Sequence, residues 1–193
     1  MIELEVKAVV ADPTALLARL RAVGAREEFV GRMLDRRLDF PDGSLTNRDE
    51  VVRVRVYWDS AGRTKASLDW KGPASVEAGY KRREEISAEG ADGDIIIEIL
   101  RRIGLRVTQA IDREIRQFSL DDATVRLEHF PRMDDLVEVE GDAATIERAI
   151  ARLGMDRRDF SAENLDAFAA RYAARTGEPA MIGPSPEIGV RAR

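Results

Sequence analysis

Cysteine is absent from this 193-residue chain, and histidine occurs once. Without cysteine there is no disulfide framework, no thiol nucleophile and no thiolate zinc site, which fits a reducing compartment. The N-terminus lacks the basic-then-apolar order of a secretory leader. No apolar run approaches the roughly 18 residues of a membrane span. A basic surplus is missing as well: 31 Lys and Arg face 36 Asp and Glu, for a formal net charge of -5. That argues against a general nucleic-acid coat, though not against a local phosphate pocket, because arrangement sets the field in a cleft. The expectation is a soluble cytoplasmic protein with neither membrane nor nucleic acid as a partner. His129, the single histidine, neighbours Glu128 on the opposite strand parity and reads as a surface or packing residue.

What the chain has in excess is charge. Charged residues reach 35%, against about 25% in an ordinary soluble protein, while the hydrophobic share of 44% is usual. The length suits one well-buried domain, taken as residues 1–177, with an aperiodic and mobile tail over 178–193. Residues 2–10 read as a strand. Asp12-Pro13 caps a helix that carries Leu16, Leu17, Leu20 and Val23 and stops at Gly24. Extended runs follow over 26–40, 51–58, 64–71 and 79–89, with turns at Pro41-Asp42-Gly43 and Asp59-Ser60-Ala61-Gly62. A second helix is expected over 94–103, then strands near 106–119, 124–130 and 135–141. A third helix runs from the Asp142 cap to Gly154, and a fourth from Ser161 to just before Gly177.

Glu3-Leu4-Glu5-Val6-Lys7 alternates in the period of a strand, so two carboxylates and an ammonium share one face. The layout recurs. On that parity stand Arg53, Arg55, Lys71, Lys81, Arg83, Glu85, Arg126, Glu128, Glu138 and Glu140, with Leu4, Val6, Val52, Val54, Leu68, Trp70, Val125, Leu127, Val137 and Val139 on the other. One reading is an inverted sheet whose charged face lines a hydrated interior beneath outer helices; buried unpaired charge is otherwise too costly. The other is an open antiparallel sheet with one solvated face. The pairs Glu3/Glu5 and Glu138/Glu140 favour the first, because oxygen-only carboxylate clusters suit Mg²⁺ or Mn²⁺. Arg forks and Lys ammoniums match phosphate oxygens.

These motifs, in this order, resemble the CYTH family, the triphosphate tunnel metalloenzymes. Glu3-Leu4-Glu5-Val6-Lys7 is similar to its E-x-E-x-K signature, Val52-Arg53-Val54-Arg55 to its paired basic strand, and Lys71-Gly72-Pro73 to its Lys-Gly-Pro strand end. Arg83-Glu84-Glu85 and Glu138-Val139-Glu140 complete the series. The resemblance implies an α+β fold: a closed eight-stranded antiparallel β-barrel with helices packed outside, binding a small-molecule triphosphate as a monomer or homodimer. By the same resemblance, Lys7, Arg53, Arg55, Lys71, Lys81, Arg83 and Arg113 would hold phosphate, with Lys7 near the reacting group as ligand or proton shuttle. Glu3, Glu5, Glu85, Glu128, Glu138 and Glu140 would ligate Mg²⁺ or Mn²⁺. Departures from the pattern are Arg37-Leu38-Asp39 in place of Tyr-Phe-Asp, Ile115 in place of a second basic residue, and Phe118 in place of a tyrosine. The implied activity is metal-dependent hydrolysis of an inorganic, nucleoside or thiamine triphosphate. Its alternatives are class IV adenylyl cyclase chemistry on ATP and a non-catalytic polyphosphate or nucleotide sensor.

Overall fold

Alternation becomes strand pairing along most of the chain in the computed structural model, which describes residues 2–90 and 92–183. The elements are β1 (Ile2–Val9), α1 (Pro13–Ala22), β2 (Arg26–Asp39), β3 (Val51–Asp59), β4 (Thr64–Lys71), β5 (Ser75–Glu77) and β6 (Tyr80–Gly90). They continue with α2 (Gly93–Arg102), β7 (Arg106–Leu120), β8 (Ala123–His129), β9 (Leu136–Glu140), α3 (Ala143–Leu153) and α4 (Leu165–Thr176). Strand order is β1-β9-β8-β7-β2-β3-β4-β6, and β1 pairs back onto β6, closing an eight-stranded antiparallel barrel. The three-residue β5 pairs with the start of β6, where the pairing with β4 has ended.

Closure settles which face is which. Val6, Ala8, Val125, Leu127, Val137 and Val139 point outward and meet Leu16 and Leu20 of α1 and Ile146, Ile150 and Leu153 of α3. Across the barrel, Ile97 and Leu100 of α2 cover Val54 and Leu38. Helix α4 sits differently. Its Phe168 packs with Ile111, Phe130 and Leu136, which share strand parity with the inward charges Arg113, Glu128 and Glu138. It therefore lies over part of one rim of the barrel rather than on its wall.

The caps follow the expected chemistry. Asp142 accepts from Thr145 N at 2.7 Å, and Gly154 ends α3 in the left-handed region at φ 71°. The fourth helix differs from expectation: it starts at Leu165 behind an Asn164 cap, not at Ser161. Pairing of β1 with β6 spans only Ile2 to Glu5. Beyond it the backbone of Lys7 needs partners, which Ser161 provides through N–O contacts of 2.9 and 2.8 Å. A sheet-edge requirement thus holds Ser161 extended. Of the tail expected from residue 178, the part up to 183 runs along the barrel: Met181 pairs with Arg132, and the Ile182 carbonyl accepts from Asp112 N at 2.8 Å. Residues 184–193 lie outside the described residues.

Candidate active site

The inward faces enclose a cavity of about 610 Å³ that opens beside Thr46, Val51, Ser75 and Asn164. Lys7, Arg37, Arg53, Lys71, Lys81, Arg83, Arg113 and Arg126 line it together with Glu5, Asp35, Glu128, Glu138 and Glu140. Charge meets charge throughout. Lys7 is wedged between Glu138 and Glu5, 3.1 Å from the latter, and Arg126 also bonds Glu138. Lys81 reaches Glu5 at 2.6 Å, Lys71 reaches Glu3 at 2.5 Å and Glu85 at 2.9 Å, and Arg113 bonds Glu128 at 2.7 Å. Glu3, Arg55, Asp69 and Glu85 form the next layer, farther from the mouth, where Asp69 accepts from Arg55 at 2.6 Å and Arg53 at 3.1 Å.

These contacts set the protonation states. Burial alone would raise Glu5, but Lys7, and then Lys81, bring it down to about 2 against the repulsion of Glu138. Glu138 lies well below the usual carboxylate range: burial opposes this, and Lys7 and Arg126 outweigh it. Lys7 holds its proton above the ordinary lysine range, because Glu138 and Glu5 overcome its burial. Glu3 is raised by burial and by a hydrogen bond with Glu85, and Glu140 is raised strongly by burial with Glu138 nearby.

Glu3, Glu5 and Glu140 each bring one carboxylate oxygen within 4.8 Å of the other two. The register explains the meeting: Glu3 and Glu5 are two apart on one strand face, and Glu140 is the cross-strand partner of Glu5. Two of the three carboxylates are pushed toward the neutral acid by burial, and a hard cation with oxygen ligands would relieve that. The donor set thus fits Mg²⁺ or Mn²⁺.

Of the remaining acidic candidates, Glu85 shares a hydrogen bond with Glu3 and Glu138 with Glu140. Glu85, Glu128 and Glu138 are each bonded to cations of the wall. Among the basic candidates, Lys7, Arg53, Lys71, Lys81 and Arg113 border the cavity; Arg55 braces Asp69 behind it. Arg83 borders the mouth but donates to the carbonyls of Gly72 and Asp49 and to the Asp49 carboxylate at 3.1 Å. His129 projects outward, bonded to Asp135 at 2.6 Å.

Sequence reasoning missed Asp35, Arg37 and Asp69. Asp69 shares strand parity with Lys71, which could have found it. Asp35 and Arg37 sit on β2, whose alternation is broken by register shifts at Glu27/Phe29 and Arg37/Leu38. Arg37 Nε and Arg113 Nη1 are buried in this wall with no acceptor among the described residues. Buried donors without acceptors cost about 1–3 kcal/mol each, so the wall suits an anionic guest.

The CYTH domain profile matches residues 1–150. No curated protein matches the chain. A Vibrio parahaemolyticus protein described as a candidate adenylate cyclase superposes with a TM-score of 0.75 at 19% identity, covering 88% of this chain and 98% of that one. A Pyrococcus horikoshii protein gives 0.68 at 19%, over 91% and 99%. A candidate adenylyl cyclase from Hippeastrum, described as having a dominant triphosphatase activity, gives 0.62 at 14%, over 96% and 97%. At such identities the likeness speaks for the fold. Among the described residues no helix is long and apolar enough to cross a membrane.

Proposed function

The chain belongs to the CYTH family, and from that premise we propose that it hydrolyses a triphosphate, with a divalent cation, inside the charged bore. One observation carries the reading: the Glu3–Glu5–Glu140 trio stands beside lysines and arginines that face a single cavity sized for a small ligand.

Glu3, Glu5 and Glu140 would hold Mg²⁺ or Mn²⁺. When bound, such a cation neutralises phosphate oxygens and lowers the pKa of an attacking water. The chain's own cations do the rest. Lys7, Arg53, Lys71, Lys81 and Arg113 bind the phosphate oxygens, joined by Arg37 and Arg126, and they stand in place before charge builds up on the leaving oxygen. Lys7 is the residue assigned to the reacting phosphate. Its two carboxylate neighbours support a fixed ammonium over a proton shuttle. Glu138, Glu128 and Glu85 act as anchors, aiming Lys7 and Arg126, Arg113, and Lys71. Arg83 ties the Asp49 loop to Gly72 at the mouth, and Arg55 fixes Asp69.

Cyclase chemistry is the second reading, favoured by the description of the Vibrio neighbour. It needs a seat for adenine, and among the described residues those lining the cavity include no aromatic ring on which a purine could stack. Hydrolysis asks for no such seat.

The test is incubation with tripolyphosphate and with ATP, each with Mg²⁺ or Mn²⁺, followed by assay of orthophosphate and cyclic AMP. Orthophosphate is expected, and Glu5→Ala is expected to cut its release by at least about a hundredfold, the scale of a lost transition-state contact. Turnover that survives Glu5→Ala removes the metal assignment. Tight tripolyphosphate binding without turnover identifies a sensor.

A further inference from the structure

Arg37 stands apart from the other cations of the bore. Every other lysine and arginine lining the cavity is in an ion pair with a carboxylate; among the described residues Arg37 is in none. Its Nε is buried without an acceptor. Burial, with Arg53 and Arg113 nearby, lowers its pKa against the pull of Asp35 and Asp166. Two more polar atoms of this wall are buried without partners among the described residues: Arg113 Nη1, a donor, and Asp35 Oδ1, an acceptor. Strand register puts the three on one patch. Asp35 and Arg37 are two apart on the inner face of β2. Arg113, on the neighbouring β7, faces Met33 and is therefore diagonal to Asp35. All three line the cavity, with Asp35 only 1% and Arg113 only 8% exposed.

This patch offers a guest two N–H donors and one carboxylate oxygen. A fully deprotonated anion satisfies the guanidiniums but repels Asp35, whose other oxygen has only a 3.4 Å contact with Arg53. Water can donate to Asp35 but leaves the charge of Arg37 unopposed. A guest with anionic oxygens and a hydroxyl on one centre answers all three. We propose that Asp35, Arg37 and Arg113 form a subsite for monohydrogen orthophosphate, whose P–OH donates to Asp35 while its other oxygens accept from the two arginines. The subsite is separate from the Glu3–Glu5–Glu140 trio, since β2 lies halfway round the barrel from β1. Near neutral pH orthophosphate keeps a proton and sulfate, of the same shape, keeps none, so Asp35 makes the subsite selective. The inference rests on the bore being phosphate-binding; in the hydrolysis proposed above, this is the seat of the released orthophosphate.

Calorimetric titration of the metal-free chain with sodium phosphate and with sodium sulfate at neutral pH tests this without turnover. Phosphate is expected to bind at least about tenfold more tightly, because sulfate leaves Asp35 without a donor. Asp35→Asn places an N–H where the carboxylate stood and should bring sulfate to within about twofold of phosphate. Arg37→Met should weaken phosphate by on the order of tenfold. Its circular dichroism should match wild type, because the Arg37 side chain makes no hydrogen bond or ion pair among the described residues. Equal affinity of wild type for the two anions overturns the proposal, as does selectivity that survives Asp35→Asn or phosphate binding indifferent to Arg37→Met. Should Asp35→Asn fail to fold, the wild-type comparison and Arg37→Met still decide. Tripolyphosphate turnover without this selectivity removes the subsite and leaves the proposed function standing, and selectivity without turnover does the reverse.

Discussion

Asp69 has no solvent exposure, yet it accepts hydrogen bonds from Arg53, Arg55 and both Ser67 and Ser87. Burial would raise its pKa, but Arg55 and Arg53 outweigh burial and bring it from the ordinary 3.8 to about 2. For an acid depressed in the folded state, the stabilisation is complete above the unfolded pKa, near 4, and is lost as pH falls toward about 2. A shift of that size corresponds to roughly 2 kcal/mol. Asp69→Asn removes it and strands two guanidiniums whose other carboxylates, Asp35 and Glu85, lie 3.4 Å or more away. Urea unfolding at a series of pH values should therefore show the variant least stable relative to wild type near neutrality. The gap should narrow by about 2 kcal/mol between pH 4 and pH 2. A gap that does not change with pH means that Asp69 is not the ionised centre of this cluster.

At the scale of elements, Gly31 controls how β2 leaves the barrel. It faces Asp59 across the β2–β3 pair, and a Cβ there would run into the carbonyl oxygen of Trp58. The obstacle is backbone and cannot swing aside, so Gly31→Ala should cost about 1–3 kcal/mol in denaturant midpoint measurements. The strands were legible because a charged inner face and an apolar outer face leave an unbroken period of two: Glu3/Glu5/Lys7 against Leu4/Val6, Arg53/Arg55 against Val52/Val54. Helix α3 was legible at both ends because Asp142 and Gly154 act locally. Where the determinant is remote, the pattern is silent. Ser161 resembles a cap, but Lys7, far away in sequence, holds it extended. Strand β5 carries three exposed residues and no alternation, and it pairs only with the start of β6. Which carboxylates meet depends on strand register, which the resemblance to a family could not supply: Glu140 faces Glu5, while Glu138 faces Lys7.

For the whole molecule, the bore pairs lysines with carboxylates of the Glu3–Glu5–Glu140 trio, and this links its two kinds of guest. Glu3 holds Lys71 at 2.5 Å and Glu5 holds Lys81 at 2.6 Å. An ammonium that neutralises a carboxylate turns less fully to a phosphate, and a carboxylate bonded to lysine offers less charge to a cation. Divalent metal on the trio would release the lysines, and phosphate on the lysines would release the trio, so each guest strengthens the other by the same factor. Calorimetric titration with tripolyphosphate should show binding tightened on the order of tenfold by Mn²⁺, after correction for the metal complex that tripolyphosphate forms in solution. Glu3→Gln makes the linkage distinctive. It removes one of the two carboxylates that hold Lys71, leaving Glu85 at 2.9 Å, so the variant should bind tripolyphosphate more tightly than wild type in metal-free buffer, and Mn²⁺ should improve that binding by a smaller factor. If Glu3→Gln weakens metal-free binding instead, Lys71 draws its position from Glu3 rather than being restrained by it, and the two guests are not coupled through this pair.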